Sequence, residues 1–112
     1  MADIESTGGP APITPHDRKW FEQEYREGAQ LFQNAVNHYS KSDNPYQKRE
    51  FHEVMDKALN ILNETAHELN KKSLLDQNAQ IEKDYDSFNK APDDAKTLAQ
   101  LNADLEKAKK SV

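Results

Sequence analysis

Residues 45–69 carry the strongest apolar pattern in the sequence. Apolar or small side chains recur there at steps of three and four residues, at Phe51, Met55, Ala58, Leu62, Thr65 and Leu69. Because an α-helix has about 3.6 residues per turn, this spacing places the stripe on one helical face. Such a helix spans roughly 37 Å at ~1.5 Å per residue. We therefore predict one long amphipathic helix whose stripe must be covered by other helices.

A second stripe precedes the first and predicts a helix over about residues 15–39. Its members are Phe21, Tyr25, Gly28, Phe32, Ala35 and Tyr39. Thr14 is a good N-cap, and Pro15 suits the first helical position. The polar loop that follows is short, so the two helices are expected to be antiparallel neighbours. We interpret Gly28 as a point where a neighbouring helix approaches closely, the alternatives being a kink or a ligand contact.

Two shorter helices are predicted in the C-terminal part of the chain, over about residues 74–90 and 93–110. Ser73 resembles the start of a capping box, with Asp76 in place of the usual Glu. Pro92 separates the two helices, since proline cannot continue the preceding helix. We expect each of these helices to add a further layer to the pair formed by residues 14–70.

The junction between the second and third helices is open to two interpretations. We expect a break at about residue 70, although one continuous helix over 46–90 is the alternative, because no Gly or Pro interrupts that segment. Asn78 lies in the apolar seam of the third helix. It either fixes the register of that helix or lies at the edge of the seam.

These patterns predict an all-α protein. We expect an antiparallel helical hairpin that one or two shorter helices extend to a three- or four-helix up-down bundle, with residues 14–112 as a single helical domain. Residues 1–13 contain two of the three glycines and two of the five prolines, and we predict that they form a disordered tail.

Composition narrows the range of functions. With glycine counted as apolar and tyrosine not, 38 of the 112 residues are apolar. This share of about 34% is below the ~45–50% usual in globular domains, so we predict a marginal core of the kind that a partner often stabilises. The net charge is −5 and the basic clusters are short, which argues against nucleic-acid binding. The chain has no cysteine, and its sequence has neither a membrane span nor a hydrophobic signal peptide. We therefore expect a cytoplasmic protein that binds neither nucleic acid nor membrane.

Two pairs of residues on the second helix have the spacing of metal ligands. His52 and Asp56 share a helical face. The segment differs at one position from the His-Glu-x-x-His helix of zinc proteases, because Asp56 stands where the second His is needed. Glu64 and His67 match the half-site of a di-iron bundle, which needs a second copy of the motif. We interpret both pairs as polar helix surface and predict no catalytic residue, no metal ligand and no cofactor. The neighbouring carboxylates Asp84 and Asp86 are likewise predicted to keep their helix soluble.

Some apolar residues lie beside the two main stripes and are candidates for an interface. They are Trp20, Leu31, Val54, Leu59 and Ile61. Because an apolar groove between helices can accept another helix, we predict a non-enzymatic protein-binding module, such as a small adaptor, chaperone or regulatory subunit. The first alternative is a self-assembling structural subunit, in which the same faces pair with identical chains. The second alternative is a metal-dependent helical-bundle protein.

Overall fold

The computed structural model describes residues 14–112, and the predicted tail lies outside these residues. The described part consists of four helices and no strand: α1 (Pro15–Lys41), α2 (Pro45–Leu69), α3 (Lys72–Lys90) and α4 (Ala95–Lys110). The prediction of an all-α helical bundle is confirmed. Within residues 14–112, no helix has the length and apolar character needed to cross a bilayer.

Short polar side chains set most of the helix starts. The Thr14 hydroxyl accepts a hydrogen bond of 3.1 Å from the Asp17 backbone N–H. The Asn44 side chain accepts from the Tyr46 backbone N–H at 2.8 Å. Asp94 caps α4 in the same way. These oxygens satisfy backbone N–H groups that have no partner inside the helix, so each helix begins where a cap is available.

The break between α2 and α3 is confirmed, and Asn70 explains it. Asn70 has a φ of 52°, in the left-handed region, which asparagine tolerates better than most residues and which ends a helix. The predicted capping role of Ser73 is wrong. Helix α3 begins at Lys72, two residues before the predicted start, and its N-cap Lys71 makes no side-chain capping hydrogen bond.

The helices are arranged as an up-down-up-down bundle. Helix α1 packs against α2 and α4, and α3 packs against the same two helices, so α1 and α3 occupy opposite corners. Aromatic side chains meet across this diagonal: the Phe32 and Tyr85 ring centroids are 5.2 Å apart, and those of Tyr39 and Phe88 are 5.6 Å apart, both edge to face. The core therefore depends on both halves of the chain.

Gly28 confirms the prediction of a close helix approach. A Cβ atom at this position would lie 2.8 Å from Cγ2 and 3.3 Å from Cβ of Ile61 on α2. Any side chain on residue 28 would therefore require the Ile61 side chain or one of the two helices to shift. The absence of a side chain lets Ile61 rest directly on the α1 backbone.

Asn78 fixes how α3 sits in the bundle. It is 2% exposed, its amide oxygen accepts a 2.7 Å hydrogen bond from the Tyr25 hydroxyl, and its amide nitrogen donates to the Leu62 carbonyl at 2.9 Å. A shift of α3 along its axis would leave these buried groups unpaired, which costs more than the bonds themselves contribute. Of the two interpretations of Asn78, the structure supports the one in which it fixes the register.

Candidate interaction surface

Trp20 and Leu31 form an exposed apolar pair on the outer face of α1. Trp20 is 55% exposed and Leu31 is 39% exposed. They are about three helical turns apart, so both point in nearly the same direction, roughly 16 Å apart along the axis. The Trp20 ring packs edge to face on Phe21, with centroids 5.1 Å apart. This contact helps to hold the indole in place although most of its neighbours are solvent.

Two carboxylates lie between these apolar residues on the same face. Glu24 and Glu27 are one helical turn apart, and the Gln23 side-chain amide donates a 3.0 Å hydrogen bond to Glu27. Loss of solvation raises the pKa of Glu24, and the hydrogen bond and negative charge of Glu27 raise it further. The face is therefore apolar at both ends and acidic in the middle.

Helix α2 adds two apolar residues next to this face. Ile61 lies against Gly28, which is one turn from both Glu24 and Leu31. Val54 is two turns from Ile61 on the same side of α2, and both are half-buried. We call Trp20, Glu24, Glu27, Leu31, Val54 and Ile61 the α1–α2 face. Four of the candidate interface residues thus occupy one surface.

Leu59 does not belong to the α1–α2 face. Like Val54, it is half-buried and packs on the core, but it follows His52 and Asp56 at helical steps on the side of α2 that faces α3.

Tyr46 was missed by the sequence reasoning. It is 72% exposed in the first turn of α2, and the Arg49 guanidinium lies 5.9 Å from the centre of its ring. The only signal for Tyr46 was its position outside the stripe of its own helix.

His52 and Asp56 come together in a hydrogen-bonded cluster with α3. The Tyr85 hydroxyl donates to Asp56 at 2.6 Å and lies 3.2 Å from His52 Nε2. The Asn89 side-chain oxygen is 3.0 Å from the same nitrogen. Burial raises the pKa of the Tyr85 phenol, and Asp56 raises it further. The cluster ties α2 to α3.

The second candidate pair of metal ligands lies apart from this cluster. Glu64 and His67 are both exposed. Across residues 14–112, no three side chains of His, Asp or Glu converge in a way that could hold a metal ion. A protein site for zinc normally has three or four such ligands.

A cleft of about 450 Å³ opens beside the loop between α1 and α2. Its lining residues are Tyr39, Pro45, Lys48, Arg49 and His52. The Lys48 ammonium lies 5.0 Å from the centre of the Tyr39 ring, at a distance typical of a cation–π contact. The cleft is thus basic and aromatic, in contrast to the acidic centre of the α1–α2 face.

The prediction that Asp84 keeps its helix soluble is wrong. Asp84 is 6% exposed, because its side of α3 is covered by α4. Its neighbour Asp86 is exposed, as predicted. Side chains two residues apart on a helix point in different directions. The two carboxylates therefore differ in burial, with one in the core and the other in solvent, although they are the same residue type in the sequence.

No protein-family model matches this chain, and no curated protein or solved structure matches it either. The function proposed below therefore rests on the geometry of the described residues.

Proposed function

We propose that this protein is a non-enzymatic binding module that docks a helix of another protein on its α1–α2 face. The observation that carries the proposal is the exposure of Trp20 and Leu31 on one side of α1, at 55% and 39%. A tryptophan that exposes half its surface loses the stabilisation that burial gives a large aromatic side chain. Tryptophan is also enriched among residues that dominate binding energy at protein interfaces.

The charge of the face favours a particular partner. A docked helix would place apolar side chains against Trp20 and Leu31 and present its intervening turns to Glu24 and Glu27. Lysine or arginine on those turns would relieve the repulsion between the two glutamates. The matching ligand is therefore an amphipathic helix with two apolar residues about three turns apart and basic residues between them.

The same charges disfavour self-assembly through this face. In a symmetric dimer each copy presents the same patch, so the acidic centre of one face would meet the acidic centre of the other. A hetero-partner with basic residues avoids this repulsion. The role we propose is a small adaptor, chaperone or regulatory subunit. A cytoplasmic location fits the absence of cysteine, since the fold does not depend on disulfides.

A display selection tests the proposal. A library of amphipathic helical peptides would be selected on the purified protein, and the affinity of the enriched peptides would be measured for wild type and for a Trp20→Ala/Leu31→Ala variant. We expect peptides with the apolar–basic–apolar pattern, and at least about tenfold weaker binding to the variant. Both residues are exposed, so the variant should fold.

Tyr46→Ala is the matched control, because Tyr46 is an exposed aromatic residue outside the face. We expect it to bind the selected peptides like wild type. A library that gives no enrichment, or peptides that bind the double variant as tightly as wild type, would contradict the proposal. Sedimentation equilibrium on the same samples separates this function from self-assembly, because only the latter gives a mass that rises with protein concentration.

A further inference from the structure

Asp84 on α3 holds a buried oxygen atom that has no hydrogen-bond donor. Its Oδ1 accepts a 3.1 Å hydrogen bond from the Gln80 side chain, whereas Oδ2 is buried with no partner among residues 14–112. An ionised carboxylate in this position is unfavourable, because burial removes its solvation and nothing replaces it. The state of this group therefore needs an explanation.

The explanation lies on α4, where Asp104 is held near Asp84: Gln100 lines the same cleft as Asp84 and is hydrogen-bonded to Asp104, and each carboxyl shifts the pKa of the other. Gln100 donates a 2.9 Å hydrogen bond to Asp104 Oδ2, and Gln77 donates a 2.8 Å bond to the Asp104 backbone oxygen. Two ionised carboxylates repel each other and cannot form a hydrogen bond. A single proton between them removes the repulsion and supplies the missing bond.

Neighbouring groups decide which carboxyl holds the proton. Burial raises the pKa of Asp84 to about 7, and Asp104 adds to the increase. Burial also disfavours ionisation of Asp104, but hydrogen bonds from Asp84 and Gln100 and the charge of Lys107 outweigh it and lower the pKa of Asp104. Asp84 is thus the donor and Asp104 the ionised acceptor.

We propose that Asp84 and Asp104 share one proton and form a latch between α3 and α4 that loosens when the proton is lost. Helix α4 is the shortest of the four and contributes Leu101, Leu105 and Ala108 to the core. Loss of the proton leaves two negative charges facing each other at this contact. The expected response is local opening of α4, with α1, α2 and α3 still joined through Asn78.

The charged groups around the latch are consistent with this behaviour. A cleft of about 260 Å³ between α3 and α4 is lined by Asp84, Ser87, Lys96, Thr97 and Gln100, and it gives solvent a route to the Asp84 side of the pair. Lys96 and Lys107 are the cations that α4 contributes nearby. On the α2 side, His52 and Asp56 face Tyr85 rather than Asp84. Among residues 14–112, none of these groups donates a hydrogen bond to Asp84 Oδ2.

The direction of the pH effect follows from the raised pKa of Asp84. In the unfolded chain its pKa is about 3.9, so between roughly pH 4 and 7 the folded state binds more protons than the unfolded state. Stability therefore falls as pH rises through this window, and the loss is complete above the folded pKa. The lowered pKa of Asp104 acts in the opposite direction at more acidic pH.

The test compares wild type with Asp84→Asn. Asparagine is neutral at every pH and has an N–H group for Asp104, so it mimics the protonated latch. We expect the folding equilibrium constant of wild type to fall by up to about tenfold per pH unit between roughly pH 5 and 7 relative to Asp84→Asn. The Asp84 carboxyl carbon should titrate in an NMR experiment with a midpoint near 7, and amide exchange in α4 should accelerate above it.

Asp86→Asn is the matched control, since Asp86 is exposed on the same helix. It should keep the wild-type pH dependence, so a change that appears only in Asp84→Asn belongs to the Asp84 carboxyl. An Asp84 midpoint near 4, or a pH dependence of Asp84→Asn equal to that of wild type, would overturn the latch. Neither result depends on the proposed binding function.

Discussion

The hydroxyl of Tyr25 on α1 donates a 2.7 Å hydrogen bond to the amide oxygen of Asn78 on α3, across the diagonal of the bundle. Both residues are buried, at 0% and 2% exposed, and burial raises the pKa of the Tyr25 phenol. The same asparagine also donates to the Leu62 carbonyl on α2. One side chain thus joins three helices in a single register.

Removing one member of this network should be costly. We expect Asn78→Ala to lower the free energy of unfolding by about 1–3 kcal/mol, because the buried Tyr25 hydroxyl loses its acceptor. Urea denaturation of Asn78→Ala, Tyr25→Phe and the double variant measures the coupling. We expect the double variant to lose less than the sum of the single losses. Strictly additive losses would show that the hydrogen bond does not couple the two residues.

Gly28→Ala should destabilise the protein although alanine favours helices. Alanine contributes about 1 kcal/mol of helix propensity, but its Cβ would lie 2.8 Å from Ile61 Cγ2. Overpacking of this kind costs about 1–3 kcal/mol, so we expect a small net loss in the free energy of unfolding. Adding Ile61→Ala should reverse the effect of Gly28→Ala, because the clash is removed. A stabilised Gly28→Ala single variant would contradict the close approach.

The Tyr85 hydroxyl should contribute measurably to stability through Asp56. We expect Tyr85→Phe to lower the free energy of unfolding by about 1 kcal/mol, since the 2.6 Å hydrogen bond is lost. Tyr46→Phe is the control, because Tyr46 is 72% exposed and surface changes stay within about 0.5 kcal/mol. Thermal or urea unfolding of both variants gives the comparison, and equal stabilities would argue against a structural role for the cluster.

The acidic centre of the α1–α2 face should control how fast a basic helix associates. We expect Glu24→Gln/Glu27→Gln to slow association with the selected peptides and to weaken the dependence of the rate on salt. Stopped-flow kinetics at several salt concentrations measures both effects. Glu53→Gln/Glu82→Gln makes the same change in net charge at exposed sites outside the face. If the two double variants behave alike, the effect comes from overall charge rather than from this face.

The sequence was sufficient to predict the four helices, because apolar spacing and helix caps indicate the same structure. Apolar spacing located all of them, and Thr14 and Pro15 marked the start of α1 through short-range chemistry that involves only nearby residues. The close approach at Gly28 was also predictable, since a glycine within an apolar stripe has few other structural roles. The helix ends depend on residues within a few turns of each other, whereas the partner of Gly28, Ile61, lies on α2 and is known only from the structure.

The arrangement of polar groups between helices was harder to predict. Asp84 and Asp104 are adjacent only because α4 folds back onto α3, and nothing within either segment indicates that contact. The cluster of His52, Asp56 and Tyr85 likewise requires α2 and α3 to be placed side by side. Leu59 was grouped with the interface candidates because helical spacing alone does not reveal which side of α2 faces α3.

Fluorescence of Trp20 during titration with a selected peptide tests the proposed docking most directly, because Trp20 is the single tryptophan and lies on the α1–α2 face. Without peptide, we expect strong quenching by acrylamide and an emission maximum that stays constant over about a hundredfold range of protein concentration. Added peptide should shift the emission to shorter wavelength and reduce quenching, with saturation at one peptide per chain. Unchanged emission at saturating peptide, or a blue shift caused by protein concentration alone, would contradict the docking of a partner helix on this face.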